Sequence, residues 1–409
     1  MKYFSPATII ATAQLLGTSL WFSANSAADD LARNWQLMAT DIGWLTNAVQ
    51  GGFILGTLVL ALGGIADRYR ASRIFAVSAL AGALFNGCFA WLSEGLSSAL
   101  LFRFLVGICL AGIYPMGMKL IVSWAPERAG AALSQLVAML TLGTALPHGL
   151  REAGAGLPWQ LIISASSLLA VIAAVLIYRL GDGPHLPAPA AKKSATPNPR
   201  RFTQPAVLQA FRIPQFRAAA WGYFGHMWEL YAFWAMVPLL VSGTALFARF
   251  PALGVSGLSF AIIAVGAIGC LLGGLLSRRV GSGPVALGAL AASGSCALIF
   301  VLSWNDLPAI GLAILLLVWG ATVIADSPQF SALSASACPR ELVGAALAIQ
   351  NSAGFAITVV SIAGISALFE RAGPDAVWLL LPGPILGLLG FVLTMRRAHL
   401  ASDNSVPPA

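Results

Sequence analysis

Mostly apolar stretches of about 20 residues recur along almost the whole chain, and each is long enough to cross a lipid bilayer as a helix. A bilayer offers the backbone no water to bond to, so such stretches fold as membrane-spanning helices. Only 9% of the 409 residues are charged, whereas soluble domains have roughly 25%. We therefore predict an all-α membrane protein.

Twelve stretches satisfy this length rule, and each is predicted to form one transmembrane helix. They are residues 7–27, 43–65, 74–92, 99–122, 130–150, 160–180, 216–240, 256–277, 284–303, 308–330, 342–366 and 376–395. The connection 181–215 is rich in Pro, Ala and basic residues, and this composition cannot fold alone. The predicted organisation is an N-terminal six-helix bundle (1–180), a cytoplasmic linker (181–215), a C-terminal six-helix bundle (216–400) and a disordered tail (401–409).

The basic residues indicate the orientation of the chain. With the amino terminus in the cytoplasm, 18 of the 23 Lys and Arg residues lie on the cytoplasmic side. The exceptions are Arg33, Arg103, Arg151, Arg249 and Arg371. This positive-inside bias predicts a multi-pass protein of the cytoplasmic membrane with both termini in the cytoplasm.

Several functional classes are disfavoured by the sequence. The net charge of +8 could suggest nucleic acid, but the basic residues line one side of the membrane. The five cysteines have no metal-ligand spacing and are interpreted as reduced packing residues. Hydrolase, metalloprotease and nucleotide-binding motifs are missing. We predict no enzyme, no cofactor, no metal and no nucleic-acid partner.

The two halves of the chain resemble each other at a nearly constant offset. Gly63-Gly64 with Arg68 correspond to Gly273-Gly274 with Arg278, Pro115 to Pro328, and Gly130 to Gly344, at offsets of 210, 213 and 214. Small residues recur by chance in many membrane proteins, but a shared offset across three elements favours an internal duplication, as in many transporters.

Two motifs resemble those of the major facilitator superfamily. Gly63 to Asp67-Arg68 is similar to the family's loop between spans two and three, although Arg70 stands where the family usually has Gly. Arg103 and Gly107 resemble its motif in span four. The resemblance implies two pseudo-symmetric six-helix bundles, a monomer, a central cavity lined by spans one, four, seven and ten, and transport by alternating access.

Ionisable side chains within a bilayer are costly, so each is a candidate functional residue. They are Arg103, Lys119, His148, His226, Glu229 and Asp326. His226 and Glu229 lie three residues apart near the middle of span seven, on neighbouring faces. Desolvation and nearby cations act in opposite directions on the proton affinity of such a carboxylate, so we predict proton or substrate coupling at these two residues. A neutral pair that packs helices is the alternative.

The cations of span four have two interpretations each. In the family, the position of Arg103 is associated with proton coupling, and its side chain could also bind an anionic substrate. Lys119 and Asp326 lie at similar depth in opposite halves and are predicted to meet in a closed cytoplasmic gate. The alternative is that Arg103 and Lys119 extend to the lipid headgroups and that Asp326 forms local hydrogen bonds.

The resemblance also assigns Asp67 and Arg68 to the gate. In the family this Asp docks near the start of span eleven, which here is close to Glu341 and Leu342. Free N–H groups at a helix start favour such an anion.

Polar and aromatic residues on the spans are candidates for contact with a solute, although they could equally pack helices. Those selected are Gln14, Asn25, Tyr114, Tyr223, Trp228 and Tyr231. Together with the cations, they predict proton-coupled uptake of a small organic molecule, with an anion favoured by Arg103 and Lys119. Proton-driven efflux of a toxic or hydrophobic compound is the alternative, because Gly143, Pro147 and Gly149 keep part of an exporter motif.

Overall fold

The computed structural model describes residues 5–186, 209–339 and 342–403, which are mainly helical. The N-terminal helices are α1 (Pro6–Thr18), α2 (Ser23–Ser26), α3 (Ala28–Trp35), α4 (Ala39–Leu62), α5 (Ile65–Arg68), α6 (Ala71–Leu92), α7 (Leu96–Trp124), α8 (Ala129–Ala153) and α9 (Trp159–Leu180). The C-terminal helices are α10 (Pro214–Ser242), α11 (Leu246–Arg249), α12 (Gly254–Ala264), α13 (Gly266–Val280), α14 (Ser282–Ser303), α15 (Ala309–Thr322), α16 (Ser327–Ala337), α17 (Val343–Ala372) and α18 (Pro382–Asp403). Short 3₁₀ helices occur at Pro126–Arg128, Gln209–Arg212 and Gly373–Leu380.

Nine helical segments of the described chain are long and apolar enough to cross a membrane. One of them, Ala346–Ala398, is 53 residues long and includes most of the predicted spans 342–366 and 376–395. Predicted span 7–27 corresponds to α1, which has 13 residues, and α2. Predicted span 216–240 corresponds to the 29-residue helix α10, which contains charged residues. The fold is that of an all-helical membrane protein, and the count of twelve spans stays a prediction.

Several predicted spans are broken rather than continuous. A turn at 19–22 separates α1 from α2, and the segment 323–326 separates α15 from α16. Pro328 follows the second break in the first turn of α16, where a missing backbone N–H is tolerated. These breaks expose backbone carbonyl groups that side chains must satisfy.

Side-chain contacts identify the two ends of the bundle. At the end called here the basic end, Lys119 contacts Asp67, and the backbone N–H of Ser72 donates to Asp182. At the opposite end, called the acidic end, Arg151 contacts Asp30 at 2.6 Å. The acidic end carries Asp29, Asp30, Asp41, Glu94, Glu152, Asp306, Glu370 and Asp375.

The two halves pack closely towards the acidic end. Trp21 of the N-terminal half lies 5.6 Å from Tyr231 and 5.8 Å from Phe355, both in the C-terminal half, measured between ring centroids. The Phe22 and Trp234 rings meet edge to face at 6.1 Å. This aromatic cluster excludes solvent from the interface between the halves.

Two glycines bring helices into close contact at positions related by the internal repeat. A Cβ atom at Gly52 of α4 would collide with the Phe104 carbonyl of α7, and one at Gly269 of α13 would collide with the Ala321 carbonyl of α15. Such close approach of backbones is a common basis of helix association in membranes.

The domain boundaries of the sequence prediction are only partly within the described residues. Helix α10 begins at Pro214, two residues before the predicted start of the C-terminal bundle, and α18 continues to Asp403. Residues 187–208 of the predicted linker and 404–409 of the predicted tail lie outside the described part of the chain.

Candidate functional site

A cavity of about 610 Å³ lies between the two halves on the basic-end side of the aromatic cluster. Its walls come from the second halves of α4 and α7, from α16, and from the start of α17. Most wall residues are apolar, and the polar ones are Thr57, Tyr114, Lys119, Ser123, His185, Ser331 and Asn351. Exposed Pro126 and His185 lie at its mouth, so the cavity opens at the basic end.

Lys119 places an ammonium group on the cavity wall. Its ammonium donates to the Ala66 carbonyl at 2.6 Å and lies 3.4 Å from Asp67 Oδ1. The Asp67 side chain is 81% exposed, so water screens this ion pair. Arg68 ends helix α5 and is exposed. Asp67 was predicted to dock close to Glu341 and Leu342; Glu341 lies outside the described residues, and the docking stays a prediction.

Asp326 and His226 form a buried pair in the C-terminal half. His226 Nδ1 of α10 lies 2.7 Å from Asp326 Oδ1, which stands at the start of α16, and both side chains are inaccessible to solvent. Asp326 therefore does not meet Lys119 in this structure, in which the basic end is open. Their predicted contact across a closed gate stays a prediction.

Glu229 has its own binding partners, one turn further along α10. Its Oε1 accepts a hydrogen bond from Trp319 Nε1 of α15 at 2.7 Å, and its Oε2 accepts one from Ser293 Oγ of α14 at 2.9 Å. The side chain is fully buried. His226 and Glu229 are thus neighbours on one helix that contact different helices.

Arg103 is fully buried in the N-terminal half and contacts neutral acceptors. Its Nη1 donates to the Leu20 carbonyl at 3.1 Å, to Ser23 Oγ at 3.0 Å and to Asn86 Oδ1 at 3.0 Å, and its Nη2 donates to the carbonyls of Leu20 and Trp21. These carbonyls belong to the turn that breaks the first predicted span. The guanidinium therefore fixes the turn, and snorkelling of Arg103 to the headgroups is excluded by its burial.

The six residues selected as cavity candidates have different environments. Tyr114 lines the cavity. Asn25 donates a hydrogen bond to Thr46, and Trp228 donates one to the Leu379 carbonyl. Tyr231 belongs to the aromatic cluster, and the Tyr223 ring lies 6.1 Å from the His226 ring. Gln14 is buried next to Gly117. Asn25, Tyr223, Trp228 and Tyr231 thus make packing contacts and do not line the cavity. In the described structure, the amide nitrogen and oxygen of Gln14 have no hydrogen-bond partner.

Sequence reasoning missed the partners of the buried ionisable groups. Ser293 lies in a segment of small apolar residues, and Trp319 lies in a strongly apolar one. Asn86 could have been detected, because it is a polar amide within a predicted span. Its side chain also donates to the Ile163 carbonyl at 3.1 Å.

Comparisons with known proteins agree with this architecture. A family model described as Major Facilitator Superfamily matches residues 10–362. The chain is 30% identical over 160 residues to the 3-(3-hydroxy-phenyl)propionate transporter of Escherichia coli. The aligned residues make up 38% of this chain and 38% of the relative.

Two transporters of Acinetobacter baylyi are also similar. The identity to the niacin transporter is 26% over 162 residues (37% of this chain and 34% of the relative). The identity to the 4-hydroxybenzoate transporter is 34% over 101 residues (25% of this chain and 21% of the relative). The chain therefore matches less than half of the length of each of these relatives.

The family match extends over both halves of the chain, and it agrees with the helical membrane fold and the cavity between the halves. The relatives carry the names of transporters, and together with the membrane-spanning helices they support a multi-pass protein of the inner membrane. On this basis, the chain belongs to the Major Facilitator Superfamily.

Proposed function

We propose that the protein is a secondary active transporter that takes up a small aromatic carboxylate together with a proton. The main support is the cavity, which combines largely apolar walls with the ammonium group of Lys119. Apolar walls suit an aromatic ring, and a few polar groups give orientation, as in most small-molecule sites. The names of the relatives include hydroxyphenylpropionate, niacin and 4-hydroxybenzoate, which are aromatic acids of this kind.

Proton coupling is proposed for the buried groups of α10. Glu229 and the pair of His226 with Asp326 are titratable groups in the half that also forms part of the cavity wall. Intramembrane ionisable residues of this kind commonly serve as proton relays in transporters. Arg103 is a positioning residue in this proposal, because its terminal nitrogens Nη1 and Nη2 donate to the turn at 19–22 and to Ser23 and Asn86.

The orientation proposed is that the basic end faces the cytoplasm, as the positive-inside bias favours. The structure then corresponds to a state that is open to the cytoplasm and closed to the outside. Both termini are cytoplasmic in this arrangement, and the transporting unit is proposed to be a monomer.

The test is uptake by purified protein in proteoliposomes with an acidic exterior. Radiolabelled 4-hydroxybenzoate and nicotinate should accumulate faster than in protein-free liposomes, which correct for diffusion of the neutral acids through the lipid. A protonophore should abolish the difference, and nicotinamide, which has no carboxylate, should not be transported. Equal transport of nicotinamide, or no transport of either acid, would contradict the proposed substrate class. Transport that requires an acidic interior instead would support the efflux alternative.

A further inference from the structure

Glu370, near the end of α17 in the C-terminal half, binds the start of a helix in the other half. The backbone N–H of Thr40, in the first turn of α4, donates to Glu370 Oε1 at 2.7 Å, and the Thr40 hydroxyl donates to the same oxygen. The first N–H groups of a helix lack partners within the helix and carry partial positive charge. A carboxylate of one half therefore caps a helix of the other half.

Glu152, near the end of α8 in the N-terminal half, makes the reciprocal contact. Its Oε2 accepts a hydrogen bond at 3.2 Å from the backbone N–H of Gly257, near the start of α12, and the same N–H also donates to the Leu253 carbonyl at 2.9 Å. Gly254 begins this helix with a φ of +59°, a conformation that favours glycine. The adjacent Arg151 contacts Asp30 at 2.6 Å, which fixes the end of α8 that carries Glu152.

The two contacts correspond to each other through the internal repeat. Thr40 and Gly257 are 217 positions apart, and Glu152 and Glu370 are 218 positions apart, close to the offsets of 210 to 214 between the motifs of the two halves. Both contacts lie at the acidic end, and both join the halves. A duplicated arrangement of this kind indicates a feature of the fold rather than an isolated surface contact.

We propose that Glu152 and Glu370 are positioning residues that together form a two-armed latch, which holds the acidic end of the transporter closed. An opening of the acidic end separates α4 from α17 and α8 from α12, so both carboxylates must leave their helix termini. The Glu152 arm is partly buried and the Glu370 arm is exposed. Water and salt screen the exposed Glu370 arm more strongly, whereas the Glu152 arm shares its donor with the Leu253 carbonyl, so we expect both arms to contribute to closure.

The latch can be tested in detergent solution without any substrate, so its failure is separate from failure of the proposed transport function. The closed end is monitored by a Ser366→Cys variant, since Ser366 is 2% exposed and lies against Gly43 just below the Glu370 arm. The open cavity is monitored by a Ser331→Cys variant, since Ser331 lines its wall. Labelling by a water-soluble maleimide is measured for each reporter, with the parent protein as the background for its own cysteines.

The latch is then removed with Glu152→Ala and Glu370→Ala, singly and together. The loss of a hydrogen bond to a charged group corresponds to about a tenfold change in an equilibrium. We expect about tenfold faster labelling of the Ser366→Cys reporter in the double variant, a smaller increase in each single variant, and slower labelling of the Ser331→Cys reporter. The pair Glu152→Gln and Glu370→Gln, which removes only the charge, should give a smaller change in the same directions.

Glu94→Ala is the matched control, because Glu94 is an exposed glutamate at the same end. It should leave both labelling rates unchanged. Unchanged rates in the double variant, or faster labelling of both reporters, which would indicate local unfolding, would overturn the proposal. An equal response to Glu94→Ala would also overturn it, because the effect would then follow from surface charge alone.

Discussion

The replacement Glu229→Gln separates proton coupling from protein stability, because the local geometry accepts an amide. Trp319 Nε1 can only donate a hydrogen bond, so the glutamine carbonyl must take the position of Oε1, 2.7 Å from that nitrogen. The amide nitrogen then faces Ser293 Oγ, which lies 2.9 Å from Oε2. The Ser293 hydroxyl can accept this hydrogen bond while it donates to the Leu290 carbonyl at 3.1 Å.

The expected free-energy changes follow from these contacts. A neutral hydrogen bond contributes about 0.5–1.5 kcal/mol and one to a charged group about 1.5–3 kcal/mol, so Glu229→Gln should change the free energy of unfolding by at most about 1–2 kcal/mol per contact. Glu229→Ala leaves the buried indole N–H of Trp319 without a partner, which costs about 1–3 kcal/mol, and it also leaves a cavity. The melting temperature should therefore fall more in the alanine variant than in the glutamine variant.

Transport measurements complete this prediction. If Glu229 carries the coupled proton, Glu229→Gln abolishes accumulation of 4-hydroxybenzoate driven by an acidic exterior, because the amide cannot release a proton. Counterflow exchange of labelled for unlabelled solute stays measurable, because exchange does not require deprotonation of the empty site. Gradient-driven accumulation at the normal rate would refute the coupling role. Loss of both activities at an unchanged melting temperature would also refute it and indicate a role in substrate binding.

Three further variants test other parts of the structure. Asp67→Asn removes the acidic neighbour of Lys119 in an exposed pair, so the free energy of unfolding should change by less than about 1 kcal/mol. The turnover number of gradient-driven uptake should fall, and an unchanged turnover number would contradict a gating role. Arg103→Ala leaves several buried neutral acceptors without this donor and creates a cavity, so the free energy of unfolding should fall by about 3 kcal/mol or more. A melting curve would show this as a clear loss of thermal stability. Gly269→Val places side-chain atoms against the Ala321 carbonyl, so we expect less folded protein, measured by size-exclusion chromatography. Gly283→Val is the control, because a Cβ atom at Gly283 meets nothing within 4 Å.

The helical membrane fold was predictable because the bilayer restricts the chain to few solutions. Apolar runs must satisfy their backbone groups internally, and this requirement alone converts the sequence pattern into helices. The family resemblance was likewise confirmed by the match over residues 10–362. The breaks at 19–22 and 323–326 were not predicted, since hydropathy is insensitive to a turn of four residues within an apolar run.

The contacts of the candidate site were harder to predict than the residues themselves. Depth along a helix follows from the sequence at 1.5 Å per residue, but the direction of each side chain depends on how neighbouring helices are rotated. Lys119 and Asp326 have similar predicted depths, yet Asp326 is buried against His226, and Lys119 lies beside Asp67. A gate contact would require Asp326 to leave the buried pair, and separating such a pair is costly.

The distribution of the ionic contacts has a consequence for alternating access. Within the described residues, the contacts of His226 with Asp326 and of Lys119 with Asp67 each lie inside one half, and the terminal nitrogens of the buried Arg103 likewise donate within the N-terminal half. The halves can therefore rotate against each other without separating a buried charge pair, which would cost several kcal/mol. The contacts that must break between the halves include aromatic packing, the hydrogen bond from the Asn47 amide to the Val359 carbonyl, and the carboxylates at helix starts, which regain water as they separate. This arrangement avoids one large free-energy cost of switching, as the proposed carrier, which visits both states in every cycle, requires.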